Sequence, residues 1–231
     1  MAILHWCDTC GGLQPHILLE KEITKRRNEK LKCVPCGRST QTKGPFWCGS
    51  YYSSKHFPEQ HKNDQLTQDI IKTKTGDRNA TSKICEKMYE KLQQEHIIEF
   101  NMIVPVPNHK SAIQCSNATL LAEVLATTIH EKIGRNIQFH DTQDVLVRVN
   151  PSNADRKNMS EAERCRTTKE NYKIAEKIKY NNIIQDKIIL LIDDIHVTGS
   201  TMDSCTDLLL QNGAKQVIQL CAGKNMQISL K

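Results

Sequence analysis

Two aspartates and a hydroxyl-rich turn are the first residues whose chemistry can be read. Asp193 and Asp194 are followed closely by Val197, Thr198, Gly199, Ser200 and Thr201. Adjacent carboxylates accept hydrogen bonds from vicinal hydroxyls, or hold Mg²⁺ through water. Thr198, Ser200 and Thr201 set three hydroxyls around Gly199. A helix starting there adds its unpaired N–H groups, which makes a pocket for one phosphate. Gly199 lets the backbone come close to that anion. Acids at one end and a phosphate pocket at the other describe a site for a ribose 5-phosphate unit. The plain alternative is a strand ending in solvated acids before an ordinary capped helix.

The second cluster is made of thiols. Cys7 and Cys10 form one C-x₂-C pair followed by Gly11; Cys33 and Cys36 form another followed by Gly37. Two thiolates at this spacing reach one tetrahedral metal, and two such knuckles complete a Cys₄ set with no open position. A structural Zn²⁺ is the expected occupant. Free thiols on an unstructured arm are the alternative, and Cys48, His5 and His16 are spare ligands should one cysteine not bind. Between the knuckles, residues 20–32 carry six basic and three acidic side chains. They read as a solvated loop or as a phosphate-attracting arm.

The elements that must position these groups follow from periodicity. Residues 188–192 are five apolar residues in a row, three of them isoleucine. That is the pattern of a central parallel strand covered on both faces, with the acids at its C-terminal end, where ligands of open α/β sheets bind. Met202, Cys205, Leu208 and Leu209 give the following helix its apolar face, and Gly213 ends it. A second strand, Met102 to Pro107, leads into Asn108, His109 and Lys110, and then a helix through Leu121, Val124, Leu125 and Ile129 to Gly134. That loop is expected at the same sheet edge as the phosphate pocket. A further helix over 82–96 is predicted from Ile84, Met88 and Leu92, with Ser82 as cap, and a short one around Leu66, Ile70 and Ile71. Residues 144–149 and 216–222 read as strands, the latter as partner to the acid-bearing strand. Residues 150–173 have no apolar period but many charges, Arg156, Arg164 and Arg166 among them, and read as a polar lid or a solvated excursion. Residues 44–61 read as a junction in which Trp47, Tyr51, Tyr52 and Phe57 pack the metal module onto the next domain or offer a stacking surface.

The 231-residue chain carries ten cysteines, a formal charge of +6 and an isoelectric point near 8.7. A mildly basic protein suits an anionic ligand and permits nucleic-acid contact without requiring it. No apolar run approaches the ~20 residues of a membrane span. The apolar stretch Met1 to Trp6 is too short for a signal peptide, so a cytoplasmic location is expected, where cysteines serve as thiols or metal ligands.

Residues 190–201, with their apolar run, paired acids and Thr-Gly-x-Thr loop, resemble the PRPP (5-phosphoribosyl 1-diphosphate) motif of type I phosphoribosyltransferases. Beyond it, the Cys₂–Cys₂ module, Val104 to Pro107, Asn117 and the segment Met159 to Arg164 resemble the ComF family of phosphoribosyltransferase-like proteins, linked to DNA uptake. The resemblance implies an α/β fold with an open, mostly parallel sheet flanked by helices and a small N-terminal Cys₄ zinc module. It implies a module over residues 1–55 and a phosphoribosyltransferase-like domain over 56–231. It also implies a PRPP site: Asp193 and Asp194 as catalytic residues, Val197 to Thr201 on the 5′-phosphate, Pro105, Val106, Pro107 and Lys110 in the pyrophosphate loop, and Arg164 in the lid. Mg²⁺ would accompany PRPP. Single-stranded DNA and a DNA-uptake helicase or channel protein are the implied partners of a non-catalytic, PRPP-binding alternative. Gln114 and Cys115 depart from the Arg-Gly usual before Asn117, and Ala118 from the Gln after it. Thr167 stands where an Asn is common, and Val197 where purine-salvage relatives carry an acidic general base. Valine moves no proton, and no residue signals which acceptor is used.

Overall fold

The computed structural model describes residues 2–7, 12–18, 31–33, 41–97, 99–107, 117–139, 145–149, 171–176 and 182–226. Three short strands come first: β1 (Ala2–Cys7), β2 (Gly12–Leu18) and β3 (Leu31–Cys33), paired antiparallel in that order. β1 and β3 flank β2 and run in the same direction, so Cys7 and Cys33 each end a strand with the same heading. Cys10 and Cys36 lie outside the described residues, as do residues 20–30 of the basic segment and, in the lid and loop, Arg164 and Lys110.

The main sheet is parallel throughout. β4 (Thr42–Trp47), β6 (Met102–Pro105), β7 (Gln138–Phe139), β10 (Ile188–His196) and β11 (Gln216–Asn225) lie in the order β4-β11-β10-β6-β7, and β5 (Ser50–Tyr51) pairs with the end of β11. β10 is central, as its unbroken apolar run requires. Its register sets Ile192 against Pro105 on one side and Leu220 on the other. The sheet reaches back to residue 42, on the N-terminal side of the boundary expected at 55.

Successive side chains of β10 enter two different cores, because strand side chains alternate between faces. Ile189 and Leu191 pack with Met202, Cys205 and Leu209 of α5 (Ser200–Gln211) and with Leu146 and Ile174. The latter two come from β8 (Leu146–Arg148) and β9 (Tyr172–Ile174), a small antiparallel pair beside the main sheet. Leu190 and Ile192 pack on the opposite face with Ile84, Met88 and Leu92 of α3 (Arg78–Gln94), Leu121 and Leu125 of α4 (Asn117–Ile133), and Ile70 of α2 (Gln65–Thr73). α1 (Pro58–Asn63) buries no residue.

Two local expectations change. α3 starts at Arg78, and Asp77 caps it by accepting from the Ala80 N–H at 3.0 Å. Ser82 lies inside the helix, its hydroxyl donating to the Arg78 carbonyl at 3.0 Å. Residues 42–47, read as part of a junction, form an edge strand that pairs with β11. Tyr52 packs edge-on against Phe57 and Tyr51 against His61.

Candidate functional site

The site lies where β10 leaves the C-terminal edge of the sheet. The strand continues through Asp193 and Asp194 to His196, so the two side chains leave it with opposite parity, yet both reach one cavity at the sheet edge. Asp193 follows the parity of Leu191 and sits near Cys205 and Tyr172. Asp194 follows that of Ile192, toward α2 and α4. Its Oδ2 accepts from Asn117 Nδ2 at 3.3 Å and pairs with Lys74 Nζ at 3.4 Å. Each carboxylate also folds back on the chain. Asp193 Oδ1 accepts the Asp194 N–H at 2.9 Å, and Asp194 Oδ1 accepts the Ile195 N–H at 2.7 Å.

Burial, and after it the neighbouring Asp194 charge, pushes the Asp193 carboxyl well above the ordinary aspartate value. The Asp194 backbone N–H and the Lys74 ammonium pull the other way. A carboxyl in this state gains from a hydroxyl donor or a cation placed against it.

Beyond the acids the chain turns into α5. Gly199 has φ +83°, and a Cβ there would stand 2.9 Å from His196 Nε2. Glycine is therefore needed both for the left-handed backbone and for the close approach to His196. No side chain caps α5, so its first N–H groups are available to a ligand. Thr198 Oγ1 lies 3.2 Å from Ser200 Oγ. A cavity of about 70 Å³ is lined by Asp193, Ile195 to Thr201 and Met202. Val197, Thr198, Gly199, Ser200 and Thr201, the residues expected around a phosphate, are all among its lining. Val197 is 51% exposed at its rim. His196 leans on Trp47, ring centroids 5.9 Å apart, and Lys224 Nζ lies 4.2 Å from the Trp47 centroid.

A second cavity, of about 160 Å³, shares Asp193 and Thr201 with the first. Its other lining residues are Val106, Pro107, Asn117, Ala118, Arg148, Tyr172 and Asp194. The Val106 N–H donates to the Ile192 carbonyl at 2.8 Å, which extends the β6–β10 ladder and carries residues 106–107 to the acids. Pro105 stays in β6, one step back. The structure therefore brings together Asp193, Asp194, the 197–201 turn, Val106 and Pro107.

Three residues of the site escaped sequence reasoning. Lys74 follows the last residue of α2, and nothing in linear spacing ties it to Asp194. Arg148 stands just before the polar segment 150–173, and Tyr172 lies inside it, in β9, where no strand was expected. For Arg148, its position in a strand flanking a lid-like stretch was the available signal. Among the described residues no group of three or more His, Cys, Asp or Glu side chains is arranged to hold a metal. No described helix is long and apolar enough to cross a membrane.

No protein-family model matches the chain, and no curated protein does. Solved structures similar to part of it include those of two enzymes. The allosteric regulatory enzyme of purine biosynthesis aligns at TM-score 0.35 and 20% identity over 61% of this chain and 25% of its own. Glutamine phosphoribosylpyrophosphate (PRPP) amidotransferase from B. subtilis, in complex with ADP and GMP, aligns at 0.36 and 19% over 61% of this chain and 26% of its own. The chain spans about a quarter of the length of each.

Proposed function

We propose that this protein binds PRPP and transfers its 5-phosphoribosyl group to an acceptor, releasing pyrophosphate. One observation carries the reading. A phosphate-sized cavity at a helix N-terminus and a larger cavity holding two carboxylates adjoin through Asp193 and Thr201. The 5′-phosphate goes to the α5 N–H groups and the hydroxyls of Thr198, Ser200 and Thr201. The ribose hydroxyls donate to Asp193 and Asp194, and C1 with its diphosphate then lies in the larger cavity.

Asp193 and Asp194 fit a divalent cation. Their mutual repulsion is expressed in the raised Asp193 value, and Mg²⁺ is commonly held by one or two carboxylates together with substrate phosphates. When bound, Mg²⁺ supplies positive charge against the phosphates. The chain's own residues do the rest. The α5 N-terminus anchors one end of the sugar, the acids orient its hydroxyls, and Val106 and Pro107 wall the leaving-group side. The C1–O bond breaks with its electron pair leaving on pyrophosphate. The acceptor's lone pair forms the new bond to C1, and its proton goes to solvent. Holding both reactants in register is the main source of rate. The Cys7, Cys10, Cys33 and Cys36 set binds a structural Zn²⁺ in this reading.

Isothermal titration with PRPP and Mg²⁺ tests the proposal. Micromolar or tighter binding is expected, lost in Asp193→Ala/Asp194→Ala. No heat with the native protein, or equal binding by the double variant, rules it out.

A further inference from the structure

Arg148 and Tyr172 are direct partners across the β8–β9 ladder. Arg148 Nη1 donates to Tyr172 Oη at 3.4 Å, and its guanidinium carbon lies 5.5 Å from the ring centroid. Tyr172 lines the same cavity as Thr201. The ladder extends past both strands. The Val149 N–H donates to the Asn171 carbonyl at 2.8 Å, and the Ala175 N–H to the Val145 carbonyl at 2.9 Å. Arg148 is thus held by backbone pairing on either side and by a ring beneath it.

Among the described residues lining the larger cavity, Arg148 is the one Lys or Arg, and Asp193 and Asp194 supply two negative groups. Lys74 pairs with Asp194 and does not line this cavity. A diphosphate entering this cavity meets carboxylates and needs a fixed cation to offset them. A guanidinium is suited to that: it presents planar, paired donors to phosphate oxygens and stays charged at any relevant pH. Stacking on Tyr172 orders it before the ligand arrives, which lowers the entropy lost on binding. Sequence alone pointed to Lys110 and the charges of 150–173 for this task.

We propose that Arg148 binds the diphosphate on C1 of PRPP, and that Tyr172, its hydrogen-bonded partner across the β8–β9 ladder, is its positioning residue. This rests on the PRPP reading above and adds the residue that separates PRPP from ribose 5-phosphate.

The full-length protein is titrated with Mg²⁺ and either ribose 5-phosphate or PRPP, as wild type, Arg148→Gln, Arg148→Lys and Tyr172→Phe. Loss of a charge-assisted contact predicts a fall in PRPP affinity on the order of 10- to 100-fold for Arg148→Gln. Ribose 5-phosphate affinity should move by less than about 3-fold. Arg148→Lys should recover part of the PRPP loss, and Tyr172→Phe should show a smaller loss confined to PRPP. A second measurement uses the wild type alone. PRPP, and not ribose 5-phosphate, should shield Arg148 from phenylglyoxal, read by peptide mass spectrometry. Unchanged PRPP affinity in Arg148→Gln, an equal loss for both ligands, or no selective shielding overturns the assignment while leaving the PRPP reading in place. If the wild type binds neither ligand, the PRPP reading fails and the Arg148 assignment with it.

Discussion

Asp193 and Asp194 look interchangeable in sequence and are not so in the fold. The two-residue period of β10 sends one toward α5 and the other toward Lys74 and Asn117. Asp193 carries the electrostatic cost, because burial and the Asp194 charge hold its carboxyl well above the ordinary aspartate value. The linkage has a definite sign. Below the unfolded-state value both states are protonated and there is no penalty. As pH rises through the unfolded and then the raised folded value, the unfolded chain ionises first and stability falls. Asp193→Asn removes that loss. Its melting temperature should exceed wild type at neutral pH, by about 2–4 °C for each kcal/mol regained, and the gap should close on acidification. Thermal melts at neutral and acid pH, in the absence of divalent ions, check this. A constant gap, or a lower melting temperature at neutral pH, would contradict the electrostatic account. The same variant should bind PRPP poorly, which makes the acid a residue kept for its ligand at the expense of stability.

At the scale of the element, the helices show what periodicity can and cannot locate. Ile84, Met88 and Leu92 mark the buried face of α3, and all three are in the core. The helix begins a turn earlier than that stripe, because Asp77 supplies the cap. Asp77→Ala should therefore cost about 1 kcal/mol in urea unfolding. Ser82→Ala should stay within about 0.5 kcal/mol, as a change at an exposed helix position does. If the two costs were reversed, the cap would be at Ser82. β10 and β11 were legible because a continuous apolar run has few other uses. β4 was not, because Gly44 and Pro45 interrupt it and its strand partner among the described residues is β11, far away in sequence. Lys74 and Arg148 were hidden for a related reason: each acts across an element boundary that no local spacing encodes.

For the molecule as a whole, the parallel sheet with its two cores forms one packed unit, and the three-stranded β1–β3 sheet is built separately by antiparallel pairing. Zinc bound by the proposed Cys₄ set would then stabilise the second without holding up the first. Elemental analysis should give about one zinc per chain. A strong chelator should abolish protection of the N-terminal amides in hydrogen exchange while PRPP binding persists. Absence of zinc would remove the metal, and loss of PRPP binding on chelation would remove the independence. What sequence by itself determined is local and chemical: the buried strand, the paired acids, the glycine that the left-handed turn into α5 needs and the helix after it. These depend on residues close along the chain, whose spacing is itself the geometry. Tertiary structure alone decided which face each acid takes, that α2 brings a lysine to Asp194, and that β8–β9 sets an arginine beside the same cavity. Those contacts join residues 40 to 120 positions apart, and the packing of helices onto a sheet, not any periodicity, brings them together.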